Sequence, residues 1–203
     1  PLTTLKGRLE ILGNLMFEKL HYELGFPYRR CGIIVAAFSE EEVAEVRRLY
    51  RQGVENRVPR IELCSAERML ELEPKLAPDV AGGLYAPGGG VVEPYRYVFS
   101  LLELAKRNGV EFLSNCKLEN ASFADGAWTL QAHDGRRIRA KYAVNAAGLH
   151  ADDVSRIFGA EEFRISARKG EEYLLDRTSA AYPSKVVFPV PVKHSKGVLV
   201  IPT

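Results

Sequence analysis

The sequence predicts an α/β fold of mixed α+β character, on three observations. Strand-like runs alternate with helical ones over the first half of the chain. Three short strands joined by Asp-Gly turns then form a meander. The last quarter is again strand-like, and a meander with a β-rich tail predicts an antiparallel partner sheet. The chain has 203 residues, 46% hydrophobic and 27% charged, which is globular composition with apolar surface for one large core or two small ones.

Taken in order, Leu5, Leu9, Leu12, Met16, Leu20 and Leu24 recur at spacings of three and four, predicting an amphipathic helix over roughly 4–25. Thr3 or Thr4 caps its start, and Gly25 followed by Pro27 stops it. Tyr28–Phe38 reads as a buried strand, because Gly32–Phe38 is nearly continuous in apolar residues. Ser39, with Glu42 three residues on, is a capping box, and the helix it opens reaches about Val54 with Val43, Val46 and Tyr50 inward. Ile61–Cys64 is a short strand, Ser65 caps a brief helix ending before Pro74, and Ala81–Ala86 is a strand closed by Pro87-Gly88-Gly89-Gly90. Pro94 suits the first turn of a helix running to Asn108, with Gly109 at its end. Val110–Leu113 then reads as a strand, followed by the meander with turns at Asp125-Gly126 and Asp134-Gly135. Tyr142–Ala147 is a further apolar strand, a helix occupies 151–158, and Phe163–Ala167, Glu172–Leu175, Val186–Val190 and Val198–Ile201 complete the strands.

Composition narrows the function. Lys+Arg total 28 against Asp+Glu 26, a net charge of +2, which argues against a nucleic-acid binder. Arg137, Arg139 and Lys141 do form a local basic run, but they alternate with Ile138, Ala140 and Tyr142 as the solvent face of a half-buried strand does. No apolar run approaches the roughly 18 residues of a membrane helix. Cys31, Cys64 and Cys116 are an odd count without CxxC spacing, which excludes a zinc ribbon or disulfide scaffold and fits a reducing, cytoplasmic setting. His21, His133, His150 and His194 lack metal-ligand spacing, and no metal site is expected. Neither GxGxxG, a Walker loop, HExxH, GxSxG nor an EF-hand loop occurs, and Gly88-Gly89-Gly90 precedes Val91-Val92 rather than a helix, so it reads as a turn.

Two stretches could carry chemistry. In Val144-Asn145-Ala146-Ala147-Gly148 an apolar strand ends in small residues before a helix, where a flat ring or a phosphate can approach backbone amides; tight strand–helix packing explains the same residues. In Arg168-Lys169-Gly170-Glu171-Glu172 two cations precede a glycine break, positioned for an anionic group, or else pair with the carboxylates in a solvated turn.

As an ordered set these stretches resemble the FAD-dependent oxidoreductases of the D-amino-acid-oxidase superfamily, in the branch of flavin-linked glycerol-3-phosphate dehydrogenase and L-2-hydroxyglutarate oxidase. The resemblance is carried by Gly82-Gly83-Leu84-Tyr85-Ala86-Pro87 through Gly90-Val91-Val92-Glu93-Pro94-Tyr95, by Ala105-Lys106-Arg107-Asn108-Gly109-Val110, by Val144 to Asp152, and by Arg168 to Tyr173, with Leu5-Lys6-Gly7-Arg8-Leu9 ahead of them. It implies a partial FAD-binding, Rossmann-like domain from 1–27 and 93–160, and an antiparallel-sheet substrate domain from 28–92 and 161–203. It further implies that Ala146, Ala147 and Gly148 lie against FAD, that the backbone of Leu118 holds the adenine, and that Arg168, Lys169 and Gly170 lie near the substrate's anionic group. No catalytic base is assigned.

The expected activity is oxidation of a small anionic hydroxy compound, first glycerol 3-phosphate, by hydride transfer to flavin. L-2-hydroxyglutarate is the alternative within the branch, a glycine- or sarcosine-type amino acid the alternative within the superfamily, and a non-catalytic binding module the alternative outside it. The electron acceptor is open, and the expected setting is cytoplasmic, with a peripheral membrane position open for a longer protein. The chain starts at Pro1 without Met and stops at Thr203 in a strand-like run, and it lacks the family's GxGxxG turn. It is therefore expected to be the central part of such an enzyme, not retaining FAD or turning over by itself.

Overall fold

The computed structural model describes residues 2–202 except 177, 180–181 and 193–196, so His194, Pro1 and Thr203 lie outside the described residues. In chain order the elements are α1 (Leu5–Leu24), β1 (Tyr28–Arg29), β2 (Ile33–Ala37), α2 (Glu40–Glu55), β3 (Glu62–Ser65), α3 (Ala66–Leu72), β4 (Gly82–Ala86), β5 (Val91–Val92), α4 (Pro94–Arg107), β6 (Leu118–Ala124), β7 (Ala127–Ala132), β8 (Arg137–Ala140), α5 (Ala151–Ile157) and β9 (Val186–Pro189). Packing divides them into two compact units, Pro1–Gly109 with Leu175–Thr203, and Val110–Leu174. The cofactor and substrate halves that the resemblance implies divide the chain by ligand rather than by packing.

The first unit is built on a mixed four-stranded sheet in the order β3-β4-β2-β9. β2 pairs antiparallel with β4 and parallel with β9. The apolar run of β2 is buried on both faces, as its near-continuous hydrophobicity predicts. Ile34 and Ala36 pack with Cys64, Met69 and Val80 on the α3 side, whereas Ala37 packs with Val46, Leu84 and Val190 on the α2 side. Val43 and Tyr50 of α2 support that second layer, as the helical spacing predicts. A Cβ at Gly83 would come within 2.5 Å of both the Met69 sulfur and the Val35 carbonyl, so only glycine lets α3 lie this close to the sheet.

The helix N-caps form, and in the capping box Glu42 accepts from the Phe38 amide at 2.7 Å rather than from that of Ser39. The Thr4, Ser39 and Ser65 side chains accept from the amides of Gly7, Glu42 and Arg68, and Gly25 ends α1 at φ 70°. The α1 face differs from expectation. Leu5, Leu9, Leu12 and Met16 stay exposed, and the helix packs instead through Phe17 and His21. Phe17 meets the buried Phe26, Tyr28 and Tyr97 of α4 at centroid distances of 6.4, 5.9 and 5.3 Å. Large rings bury more area than leucines, so they set the face that docks. No described helix is long and apolar enough to cross a membrane.

Glu73 ties the late chain to this sheet. Only 1% exposed, it caps α3 and accepts from the Ser184 amide at 2.6 Å, the Ser184 hydroxyl at 2.7 Å and the Lys185 amide at 3.2 Å. The Lys185 ammonium in turn donates to the Leu72 carbonyl. Together these bonds set the entry of β9 beside β2.

In the second unit the meander forms as read, in the order β6-β7-β8, and the Asp125-Gly126 turn has both residues at positive φ, 51° and 72°, the type I′ hairpin signature. The Arg137 and Arg139 side chains lie on its solvent row. Four predicted strands are absent: Val110–Leu113, Tyr142–Ala147, Phe163–Ala167 and Glu172–Leu175 have no ladder among the described residues. Tyr142 and Val144 are 87% and 89% exposed. An apolar run states a preference for burial, but a strand exists only where a neighbour supplies backbone partners. The last run, Val198–Ile201, contracts for the same reason to one antiparallel bridge, Val187 to Val200.

Burial by itself would raise the Glu73 carboxyl, but the Ser184 hydroxyl and the amides of Ser184, Lys75 and Lys185 outweigh it and hold the group below the ordinary glutamate range. A depressed carboxyl stabilises the fold above its unfolded value of about 4.3, and that contribution is lost as pH falls through the folded value. Glu73→Ala therefore lowers the unfolding free energy by about 2–4 kcal/mol at neutral pH, measured by urea titration, and the deficit narrows as pH falls below about 4. An unchanged urea midpoint at neutral pH contradicts this role.

Candidate functional site

The site is built in the second unit. At the start of β6 the register shifts between Leu118 and Asn120, a bulge that bends the strand next to Leu118. On the meander, Trp128 meets Phe123 at 5.1 Å and Phe158 at 4.8 Å, the latter edge-on, so the end of α5 is fastened to the sheet. Between this end of β6 and α5 lies a cleft of about 1070 Å³. Leu118, Ala147, Val154 and Ile157 give it apolar walls, and Lys117, His150 and Arg156 supply polar edges.

The stretch before α5 is held by one side chain. Asn145 Oδ1 accepts from the Ala147 amide at 3.2 Å, and its Nδ2 donates to the Ala151 carbonyl at 2.8 Å. The chain then enters a 3-10 turn at Gly148–His150, with Gly148 at φ 57° in the left-handed region and open space where its Cβ would stand. Asp153 pairs with Arg156 and lies 3.6 Å from His150 Nδ1. The amides of Ile165 and Asp153 hold the Asp152 carboxyl below the usual carboxylate range, the Ile165 bond at 3.1 Å leading.

Of the residues read from the sequence, Leu118 and Ala147 thus line one cleft, although far apart in the chain. Ala146 and Gly148 flank Ala147 and are exposed. Arg168, Lys169 and Gly170 form an exposed, irregular segment and are not walls of this cleft. Lys169 pairs with Glu171 at 2.6 Å, the self-pairing arrangement weighed for that stretch. The sequence places Asn145 in the small-residue stretch and Lys117 beside Leu118, but it does not show that the Asn145 side chain bridges 147 and 151 or that His150 borders the cleft. For Asn145 a signal was present, since an Asn two residues before the amide it must satisfy is an Asx-turn pattern.

The three cysteines are free. Burial, reinforced by the Glu62 charge, pushes the Cys64 thiol up to about 11, which makes it a packing sulfur and not a nucleophile. Among the described residues no three His, Cys, Asp or Glu side chains converge as a metal site. An apolar cleft with a small-residue turn at its lip does fit a flat heteroaromatic ring, whose edge can meet backbone groups at Leu118 and Ala147.

Comparison with known proteins agrees with the sequence resemblance and with the fold. Glycerol 3-phosphate dehydrogenase of Caloramator mitchellensis is 39% identical over 201 residues, covering 98% of this chain and 42% of its own length. Mitochondrial L-2-hydroxyglutarate dehydrogenase of Homo sapiens is 28% identical over 204 residues, covering 93% of this chain and 43% of its own length. The structure of L-alpha-glycerophosphate oxidase from Mycoplasma pneumoniae, solved with FAD bound, matches with a TM-score of 0.82 at 26% identity, over 99% of this chain and 54% of that one. The chain spans about half the length of these relatives. A family model described as FAD dependent oxidoreductase, DAO, matches residues 3–203, and the chain belongs to that family.

Proposed function

We propose that the whole protein is an FAD-dependent oxidoreductase that oxidises glycerol 3-phosphate, with these residues supplying part of its cofactor site and part of its substrate site. The observation that carries the reading is the likeness along nearly the whole chain to a glycerol 3-phosphate dehydrogenase. The cleft walled by Leu118 and Ala147 supports it from the side of the molecule.

FAD, when bound, supplies the hydride acceptor. This chain's residues bind and orient. Leu118 holds the adenine through its backbone, and the Ala146-Ala147-Gly148 turn presents amides without side chains in the way. Residues 1–27 and 93–160 belong to the cofactor half, and 28–92 with 161–203 to the substrate half. In that half the Arg168-Lys169-Gly170 segment receives the phosphate. Lys169 is mostly exposed and pairs with Glu171, and such a surface pair is easily exchanged for a dianionic ligand.

Anaerobic addition of glycerol 3-phosphate to the whole protein bleaches the oxidised flavin band, whereas L-2-hydroxyglutarate does not. Bleaching by L-2-hydroxyglutarate alone moves the substrate to that acid, and bleaching by glycine or sarcosine alone moves it to the amino acids. Bleaching by none of them overturns all of these substrate readings. Lys169→Ala raises KM for glycerol 3-phosphate about 10–100-fold in steady-state assays, the loss of one charge-assisted bond. An unchanged KM returns Lys169 to a solvated turn.

A further inference from the structure

We infer that Asn145 is the positioning residue of the cofactor turn: its carboxamide holds the Ala147 amide and the start of α5 in the spacing that lets Ala147 face Leu118 across the cleft. The inference rests on the proposed cofactor reading and assigns within it a residue that touches neither the cofactor nor the substrate.

Three observations carry it. Asn145 makes two bonds in opposite senses, accepting from Ala147 N–H and donating to Ala151 C=O, so one planar amide group spans the segment from 145 to 151. Among the described residues no other side chain does this work locally, and the backbone adds only His150 N–H to the Ala147 carbonyl at 3.0 Å and Ala151 N–H to the Gly148 carbonyl. The 3-10 turn at Gly148–His150 and helix α5 both begin without a side-chain cap, and the residues between are Ala146, Ala147, Gly148, Leu149 and His150, of which only His150 carries a polar side chain, directed to Asp153. The segment also has no sheet to hold it. Val144 is 89% exposed and 142–147 has no ladder among the described residues, so the amide at Ala147 is fixed by Asn145 rather than by a neighbouring strand. A turn of small residues is otherwise free to move, since Ala and Gly offer no packing of their own and Gly148 sits at a φ that only its own freedom supports. What pins Ala147 therefore decides how well the cleft is pre-formed, and pre-forming a site changes affinity without adding a contact.

The test uses the whole protein and measures FAD affinity by titrating the apoprotein, alongside the melting temperature of the apoprotein. Asn145→Ala loses both bonds and weakens FAD binding about 10-fold or more, with the apoprotein melting temperature close to that of the parent. Asn145→Ser restores the bond to Ala147 through its hydroxyl, more weakly than Asn, and recovers part of the affinity. Equal FAD affinity in parent and Asn145→Ala overturns the inference and leaves the cofactor reading standing. So does a loss of affinity accompanied by a matching fall in apoprotein melting temperature without recovery in Asn145→Ser, because that is the behaviour of a purely structural residue. Failure of the parent protein itself to bind FAD overturns the cofactor reading and this inference together.

Discussion

A carboxylate taken out of water must be met by donors on nearly every lone pair, and Glu73 satisfies that demand with residues more than 100 positions away in the chain. This single requirement organises the first unit. Glu73 ends α3, so it is placed by the helix whose Met69 fills the core beneath β2 and β4. Its partners, Ser184 and Lys185, immediately precede β9, so the carboxylate decides where that strand enters. A sheet whose other pairings are antiparallel thereby gains a parallel neighbour from the far end of the chain. Arg29 repeats the arrangement more weakly, donating to the Pro202 carbonyl at 3.0 Å.

The second unit solves a different problem with different means. It contains little buried apolar mass, and its order comes from the meander, from Trp128 between Phe123 and Phe158, and from short-range polar bonds such as Ser155 Oγ to the Glu161 carbonyl at 2.8 Å. Small side chains before α5 leave the cleft open, and the amides they expose are the groups a planar cofactor can use. Openness and definition pull in opposite directions here. Residues small enough to admit a ring are too small to hold themselves in place, which is why a polar side chain outside the cleft has to do so.

Local signals were legible in the sequence because local chemistry determines them. Thr4, Ser39 and Ser65 could be read as caps, Gly25 as a helix end and Asp125-Gly126 as a hairpin, since each depends on only a few adjacent residues. Partnership was not legible. Tyr142–Ala147 has the composition of a strand without a ladder, and the leucines of α1 have helical spacing while the face that docks belongs to Phe17 and His21. The site divides in the same way. The small residues at 146–148 stood out by composition, but their meeting with Leu118 depends on a bulge, a hairpin and a helix acting together. The cations at 168 and 169 were visible too, yet in the structure Lys169 is already engaged by Glu171. Spacing cannot distinguish a ligand-ready charge from one with a neighbour.

Hydrogen–deuterium exchange of the whole protein, compared with and without FAD, shows whether the cleft between Leu118 and Ala147 receives the cofactor. FAD seated there slows exchange in peptides covering 116–119 and 145–151, with no change at the exposed hairpin turn of Asp125 and Gly126. FAD binding that leaves both of those segments exchanging at their unliganded rates contradicts that placement.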